Sequence, residues 1–214
     1  MPADATAAMA SPALSPDPVR LRAPRAAARL RPEIKLYVAG TAGRARVERY
    51  IWQRYADRFE ADVQDWFPRL VTLESGGDIL AAAGYRSAED RLFLEQYLHA
   101  PVEHSLARHE PGLQRKDIVE AGQFAAMHAG AGRLLMPLMA RHLLDEGFQW
   151  AVSTVTQELH HLFLRMGMHP LPMASAQAER LEPDYPGTWG TYYDHAPVVV
   201  AERLSEVIGE LRAA

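Results

Sequence analysis

Hydrophobic and polar positions change rhythm several times along the chain. Ile34, Leu36 and Val38 stand at every second position, the period of a strand, and Gly40 and Gly43 close it. Val47, Tyr50, Ile51, Tyr55 and Phe59 then recur every three to four residues, which predicts a helix with one apolar face. Leu70, Val71 and Leu73 lead into Gly76-Gly77-Asp78, and Ile79 to Tyr85 follow, the pattern of a hairpin. Residues 87 to 116 read as irregular, with short helical pieces interrupted by Pro101 and Pro111. From Ile118 to Ala126 the chain reads as a mostly buried strand, in which Gly122 marks a bulge or a close backbone approach. A loop from His128 to Arg133 feeds a helix bearing Leu134, Leu135, Leu138, Met139 and Leu143, ended by Gly147. Phe148, Trp150 and Val152 alternate as a further strand. Leu159, Leu162, Phe163 and Met166 make the next helix, stopped by Gly167. A last amphipathic helix is expected through Val200, Leu204, Val207, Ile208 and Leu211. The fold class is therefore mixed α/β, with a βαβα run whose middle strands are parallel. No internal repeat is visible.

The first 33 residues follow none of these rhythms. They hold six prolines, ten alanines and five arginines against three acids, and few bulky apolar residues. Such a segment buries too little surface to offset its ordering entropy, so residues 1–33 are expected to form a disordered tail ahead of one domain, 34–214. The start lacks the continuous apolar stretch of a signal peptide. The whole chain of 214 residues carries a formal charge of -4, and about -6 of it lies on residues 34–214. No basic footprint points to nucleic acid. No apolar run reaches the ~20 residues that span a bilayer. Cysteine is absent, which excludes disulfides, zinc-thiolate sites and a cysteine nucleophile, and fits a cytoplasmic protein. Lys35 and Lys116 are the two lysines, neither in a desolvating context, so a catalytic lysine is a poor prospect.

Chemistry is first suggested by the segment between the strand at 118–126 and its helix. Gly130 and Gly132 lack Cβ atoms, so backbone N–H groups there can approach a phosphate, with the positive end of the helix behind them and Arg133 adding a full charge. A flexible connection needing two small residues is the plainer reading. No GxGxxG follows the first strand and no GxxxxGK[ST] occurs, which moves NAD and ATP down the order. Nine histidines do not make a metal site: His160 and His161 are adjacent, and His99, His104 and His109 are five apart, so neither set shares a helix face.

Positions 127 to 132 resemble the Q/R-x-x-G-x-G/A loop with which GNAT acyltransferases hold the pyrophosphate of coenzyme A. Both glycine sites match, and Met127 does not. Phe163 stands where that superfamily frequently has a tyrosine acid. Glu120-Ala121-Gly122-Gln123-Phe124-Ala125 is similar to the E-x-x-R-F-A segment of acyl-homoserine-lactone synthases, which share the GNAT fold; Gln123 replaces the arginine. Closer still is the thermostable hemolysin family, through Ala81 to Ala88, Leu92-Phe93-Leu94-Glu95-Gln96-Tyr97-Leu98, Ile118-Val119-Glu120 and Trp189-Gly190-Thr191-Tyr192-Tyr193. These resemblances imply a GNAT fold, a central mixed twisted sheet with splayed middle strands flanked by helices. They imply an N-acyltransferase that moves an acyl group from acyl-CoA or the phosphopantetheine of an acyl-carrier protein to a small amine such as an amino acid. The hemolysin label describes a phenotype. A membrane-active or lipid-binding protein without catalysis is the alternative, and a degenerate CoA-binding module is another, suggested by Met127 and Phe163.

Each candidate residue has a functional and a structural reading. Glu120 is a carboxylate in an apolar strand, so it needs a partner or a raised pKa; it serves as the base for the acceptor amine or as the ion-pair partner of Arg86. Arg86 is a candidate to hold an acceptor carboxylate, Gln123 to touch substrate or to satisfy the backbone at a bulge. Phe124, Ala125 and Ala126 are expected along the pantetheine, with His128, Gly130, Gly132 and Arg133 at the phosphates. Trp189, Tyr192 and Tyr193 form an aromatic wall in which a tyrosine hydroxyl supplies an acid, and an extended segment turns just one of the two tyrosines to the cleft.

Overall fold

The computed structural model describes residues 32–183 and 187–213, so most of the expected tail, residues 1–31, lies outside the described residues. Among the described residues, nine strands and five α-helices follow one another as β1 (Glu33–Val38), α1 (Arg44–Phe59), β2 (Asp62–Val63), β3 (Arg69–Ser75), β4 (Asp78–Ser87), α2 (Val102–Leu106), β5 (Ile118–Ala126), α3 (Ala129–Asp145), β6 (Trp150–Val155), α4 (Gln157–Arg165), β7 (Leu171–Ser175), β8 (Gly187–Thr188), β9 (Val198–Arg203) and α5 (Leu204–Ala213). Seven strands form one mixed sheet in the order β1-β3-β4-β5-β6-β9-β7, while β2 and β8 pair apart from it. All pairs in the large sheet are antiparallel except β5 with β6, which is parallel, as the βαβα pattern predicts.

Alternation along the central strands divides the core between the two faces of the sheet. Val119 and Ala121 of β5, with Ala151 and Val155 of β6, point to the face covered by α3, α4 and α5. Ala125 points to the other face, under α1 and Tyr192, and Ile118 and Val152 join Leu94, Tyr97 and α2 there. β1 lies at the sheet edge, with Ile34, Leu36 and Val38 each about 40% exposed, so its alternation marks a strand without marking a buried face.

Two irregularities open the middle of the sheet. The register between β4 and β5 slips between Ala82 and Gly84, where β5 carries one residue more than β4. Gln123 takes up the bulge with φ 53, while the neighbouring Gly122 shows the other expected reading, a close approach: a Cβ there would lie 3.0 Å from the Phe67 ring. Beyond it, β5 and β6 pair through Ile118–Trp150, Val119–Ala151 and Glu120–Val152 and then part, although both strands continue. The splayed middle strands expected of a GNAT fold are therefore present, and the chain has that fold.

Two expectations need correction. The helix drawn through Val200 begins only at Leu204; Val198 to Arg203 form β9, which pairs with both β6 and β7. The apolar spacing of Val200, Leu204 and Val207 crosses a strand–helix boundary and imitates a helical period. The segment 128–133 is not a loop either. α3 starts at Ala129, so Gly130, Gly132 and Arg133 already lie in its first turns.

Candidate active site

The gap between the splayed ends of β5 and β6 opens into a cleft of about 720 Å³. Its floor is formed by Phe124, Ala125 and Ala126 of β5 and Thr154 of β6, with Leu135 and Met136 of α3 and Leu159 and Leu162 of α4 on one side and Tyr55 and Phe59 of α1 on the other. At one end stand Ala129 and Gly132, in the first turn of α3, a 17-residue helix in which the N–H groups of Ala131 and Gly132 already donate to the His128 carbonyl, at 3.0 and 3.4 Å. His128 caps that helix: its Nδ1 accepts the N–H of Ala131 at 3.1 Å. The imidazole therefore occupies the Ala131 donor itself. Gly132 lines the cleft, whereas Arg133 is exposed and does not line it.

On the α1 side of the sheet the cleft abuts a small pit of about 40 Å³ lined by Arg86, Phe93, Glu120, Gln123, Trp189 and Tyr193. Tyr55, Thr154 and Tyr192 line both spaces and form the seam between them. Beyond Asp65, Arg86 and Phe93 the pit meets an open groove of about 540 Å³.

Glu120 sits in the pit, 2% exposed. Its carboxylate accepts the N–H of Phe93 on Oε2 and the N–H of Leu94 on Oε1, both at 2.9 Å, and Arg86 Nε lies 3.4 Å from Oε2. Burial raises its pKa to about 7, against the opposing pull of Arg86 and the two N–H groups. The ion pair with Arg86, one of its two expected readings, is present. The carboxylate organises the 3-10 helix at Phe93–Tyr97, and it titrates where a general base works best.

Arg86 is 16% exposed and already engaged: besides Glu120, its guanidinium lies 3.6 Å from Asp65 and 4.3 Å from the ring centre of Phe67. Gln123 reaches back across the bulge, donating to the Asp65 carbonyl at 2.7 Å and accepting the Phe67 N–H at 3.4 Å. It holds the 65–67 segment and satisfies backbone, the structural one of its two expected readings. Phe67 in turn lies flat on Gly84; a Cβ there would meet its ring at 2.6 Å.

The aromatic wall is built by packing. Tyr192 stacks with Tyr55 at 6.3 Å, edges onto Phe59 at 5.2 Å and meets Trp189 at 5.3 Å, and its hydroxyl donates to the Thr154 carbonyl at 3.3 Å. Burial holds the Tyr192 phenol well above its ordinary pKa. Tyr193 shares a 2.5 Å hydrogen bond with the Tyr97 hydroxyl, and burial pushes its phenol up to about 12. The segment is a 3-10 helix, not extended, so both tyrosines reach the pit. Phe163, at the expected tyrosine position, is buried in the core beside Phe124.

Three arginines escaped the sequence reading. Arg54 and Arg58 of α1 and Arg165 of α4 line the cleft. Arg54 and Arg58 are four apart on a helix whose apolar face explained the pattern, so they read as ordinary surface charge. Nothing local marks them; they are assembled by tertiary structure. Among the described residues no three His, Asp or Glu side chains converge as metal ligands, and no helix is long and apolar enough to cross a membrane.

Several solved structures share the fold. The acyl-homoserine-lactone synthase LasI superposes with TM-score 0.56 at 12% identity, covering 82% of this chain and 91% of its own. FeeM, an N-acyl amino acid synthase from uncultured soil microbes, gives 0.55 at 12% identity, covering 86% and 99%. The CoA-dependent acyl-homoserine-lactone synthase BjaI, solved with SAM and isopentyl-CoA, gives 0.55 at 13%, covering 85% and 88%. No curated protein matches the sequence. The thermostable hemolysin family model matches residues 37–208, which include the splayed strands, the α3 N-terminus and the Glu120 pit, and the chain belongs to that family.

Proposed function

We propose that the protein is an N-acyltransferase that moves an acyl group from a thioester to a small amine by direct transfer. The observation that carries this reading is the shared seam: a long cleft suited to a thioester arm and a pit holding a carboxylate with a pKa near 7 meet at Tyr55, Thr154 and Tyr192. The thioesters and acyl products named for proteins of this fold support the same chemistry, as the CoA-dependent lactone synthase and the N-acyl amino acid synthase do.

In this reading the pantetheine lies along Phe124, Ala125 and Ala126, its phosphates face the first turn of α3 at Gly130 and Gly132, and its carbonyl carbon comes to the seam. The acceptor enters from the groove beside Asp65 and Arg86. Glu120 takes a proton from the amine, directly or through water, and the nitrogen attacks the carbonyl carbon to form a C–N bond. Collapse of the tetrahedral intermediate breaks the C–S bond, and the sulfur leaves as a thiolate that is then protonated. A thiol pKa of about 8.5 makes this departure easy, so the Tyr192 phenol assists it only modestly. With no cysteine in the chain, no acyl-thioester forms on the protein. An amino acid is one acceptor class that fits, its carboxylate meeting Arg86. The acyl donor is an acyl-CoA or an acyl-carrier protein.

The rate of amide formation against pH tests the assignment. In the wild type kcat/KM should rise with a midpoint near 7, because the ionised form of Glu120 is the active one. In Glu120→Gln it should fall roughly 100-fold or more and lose that limb. Equal activity and an unchanged pH profile in Glu120→Gln would remove Glu120 from the chemistry. A membrane-active reading draws less support: on the terminal helix α5, Leu204 and Val207 are buried against the sheet and α3, which leaves that apolar face engaged in the core.

A further inference from the structure

Glu120 owes its place to more than its own strand. The two N–H groups that it accepts, from Phe93 and Leu94, open the 3-10 helix Phe93–Tyr97, and the next residue of that helix is a second carboxylate, Glu95. Arg115 grips Glu95 with both arms of its fork: Nη1 lies 2.6 Å from Oε1, and Nη2 lies 3.1 Å from Oε2. The same guanidinium donates to Glu103 at 2.8 Å, to the Asp90 carbonyl at 3.2 Å and to the Ala88 carbonyl. Glu95 Oε1 in turn accepts the Val102 N–H at 3.0 Å. The irregular segment from Ala88 to Glu103 is thus drawn onto one side chain. That side chain stands in the turn Arg115–Asp117, which Gln114 and Asp117 cap reciprocally, directly ahead of the strand that carries Glu120. Strand and amide donors are therefore joined twice, once by Glu120 itself and once by Arg115.

We propose that Arg115 and Glu95 are a positioning pair for Glu120: they hold the Phe93 and Leu94 amides against the buried carboxylate and set the charge that it faces. The proposal rests on the acyl-transfer reading for the work that Glu120 does, and adds the residues outside the pit that govern it. Neither member of the pair lines the pit, so both act through the amides and through space. Around Glu120, Arg86 of β4 favours the ionised form, with Asp65 3.6 Å behind it, and Tyr193 is neutral near pH 7, its phenol pushed up to about 12 by burial. Glu95 acts the other way, its negative charge adding to burial in favour of the protonated form. Burial opposes the charge on Glu95 itself, but the Arg115 hydrogen bonds and the Val102 N–H hold its carboxyl below the ordinary value, so Glu95 is ionised while Glu120 titrates. Loss of Arg115 removes a compensating positive charge and loosens the amides, and both effects favour protonated Glu120. Loss of the Glu95 charge removes a repulsion and favours the ionised form. A mere fastener would cost stability in each case and leave the titration of Glu120 where it is.

Glu120 can be followed directly by nuclear magnetic resonance. In full-length protein labelled at the glutamate carboxyl carbons, the resonance missing from Glu120→Gln belongs to Glu120, and its shift against pH should give a midpoint near 7 in the wild type. Arg115→Met should raise that midpoint by about half a pH unit or more, and Glu95→Gln should lower it by about as much. Arg115→Lys, which restores the charge without the fork, should bring it back to within about 0.2 of the wild type. The pH limb of kcat/KM for amide formation should move in the same senses. Unmoved midpoints in Arg115→Met and Glu95→Gln, or shifts of both in one direction, would overturn the proposal and leave the pair a fastener that lowers the urea midpoint when cut. If Arg115→Met does not fold, Glu95→Gln decides alone, and a midpoint that stays or rises overturns the proposal. Resonances that move as stated in a protein consuming no thioester would uphold the pair and overturn acyl transfer. Amide formation whose limb stays near 7 in every variant would do the reverse.

Discussion

The Glu120 carboxylate accepts two backbone N–H groups and stands 3.4 Å from Arg86, yet burial still holds its pKa near 7. This has a consequence for stability as well as for rate. Between about 4.5 and 7 the folded protein keeps a proton on Glu120 that the unfolded chain has released. The folded state binds more protons across that window, so this group's contribution to stability is complete below about 4.5 and is lost as pH rises through 7. The destabilisation caused by Glu120→Gln should therefore be larger at pH 5 than at pH 8, read from urea midpoints of both proteins; a difference that does not change with pH would mean that Glu120 titrates normally. Tyr192 poses a different question. Its hydroxyl bonds the Thr154 carbonyl on the splayed part of β6, so Tyr192→Phe should lower stability by about 1 kcal/mol. Its effect on kcat should be within about 10-fold, far below that of Glu120→Gln, because the leaving thiolate needs little help. A loss of kcat as large as that of Glu120→Gln would make Tyr192 the principal acid.

At the scale of elements, the segments that carry the family resemblance turn out to be fasteners. In Leu92–Leu98, the Phe93 and Leu94 amides bind Glu120, Glu95 pairs with Arg115 at 2.6 Å and accepts the Val102 N–H, and Tyr97 bonds Tyr193. In Trp189–Tyr193, the Thr191 N–H and hydroxyl both bond the Phe59 carbonyl at the end of α1. Gly190 makes this docking possible: at φ 50, a Cβ there would lie 2.0 Å from the Phe59 carbonyl oxygen. Gly190→Ala should destabilise the protein by about 3 kcal/mol or more and loosen the pit, seen as a lower urea midpoint together with weaker amine acceptance. A neutral substitution would mean the 189–193 segment does not hold α1. How much of this was legible follows from the range of the forces. β5, α1, α4 and the body of α3 announce themselves because their apolar faces repeat locally, and Glu120 stands out as a charge in an apolar strand. β9 was hidden because its identity depends on pairing with β6 and β7, which are distant in sequence, while Val200 happens to fall in register with Leu204. β2 and β8 are two residues each, too short for any period. The cleft arginines were invisible for the same reason as β9: three surface charges come to line one cleft only when α1 and α4 are brought to opposite sides of one gap.

At the scale of the whole molecule, the fold divides the reaction between two approaches to a single sheet. The bulge at Gln123 and the parting of β5 from β6 after Glu120 and Val152 create a passage through the sheet's middle, with a helix N-terminus at one end and a buried carboxylate beside the other. The proposed transfer sets one long ligand in this passage against one small one, which is what a reaction between two substrates requires. Without a strong positive field over the domain, recognition of the donor falls to the cleft's own groups. The most direct measurement is mass spectrometry of a mixture of full-length protein, an acyl-CoA series and a panel of small amines and amino acids, with free thiol measured in parallel. Acyl transfer assisted by Glu120 should give an amide of the expected mass, one thiol released per amide, and loss of both in Glu120→Gln. Thiol release without any amide, or no reaction across the whole panel, would contradict it.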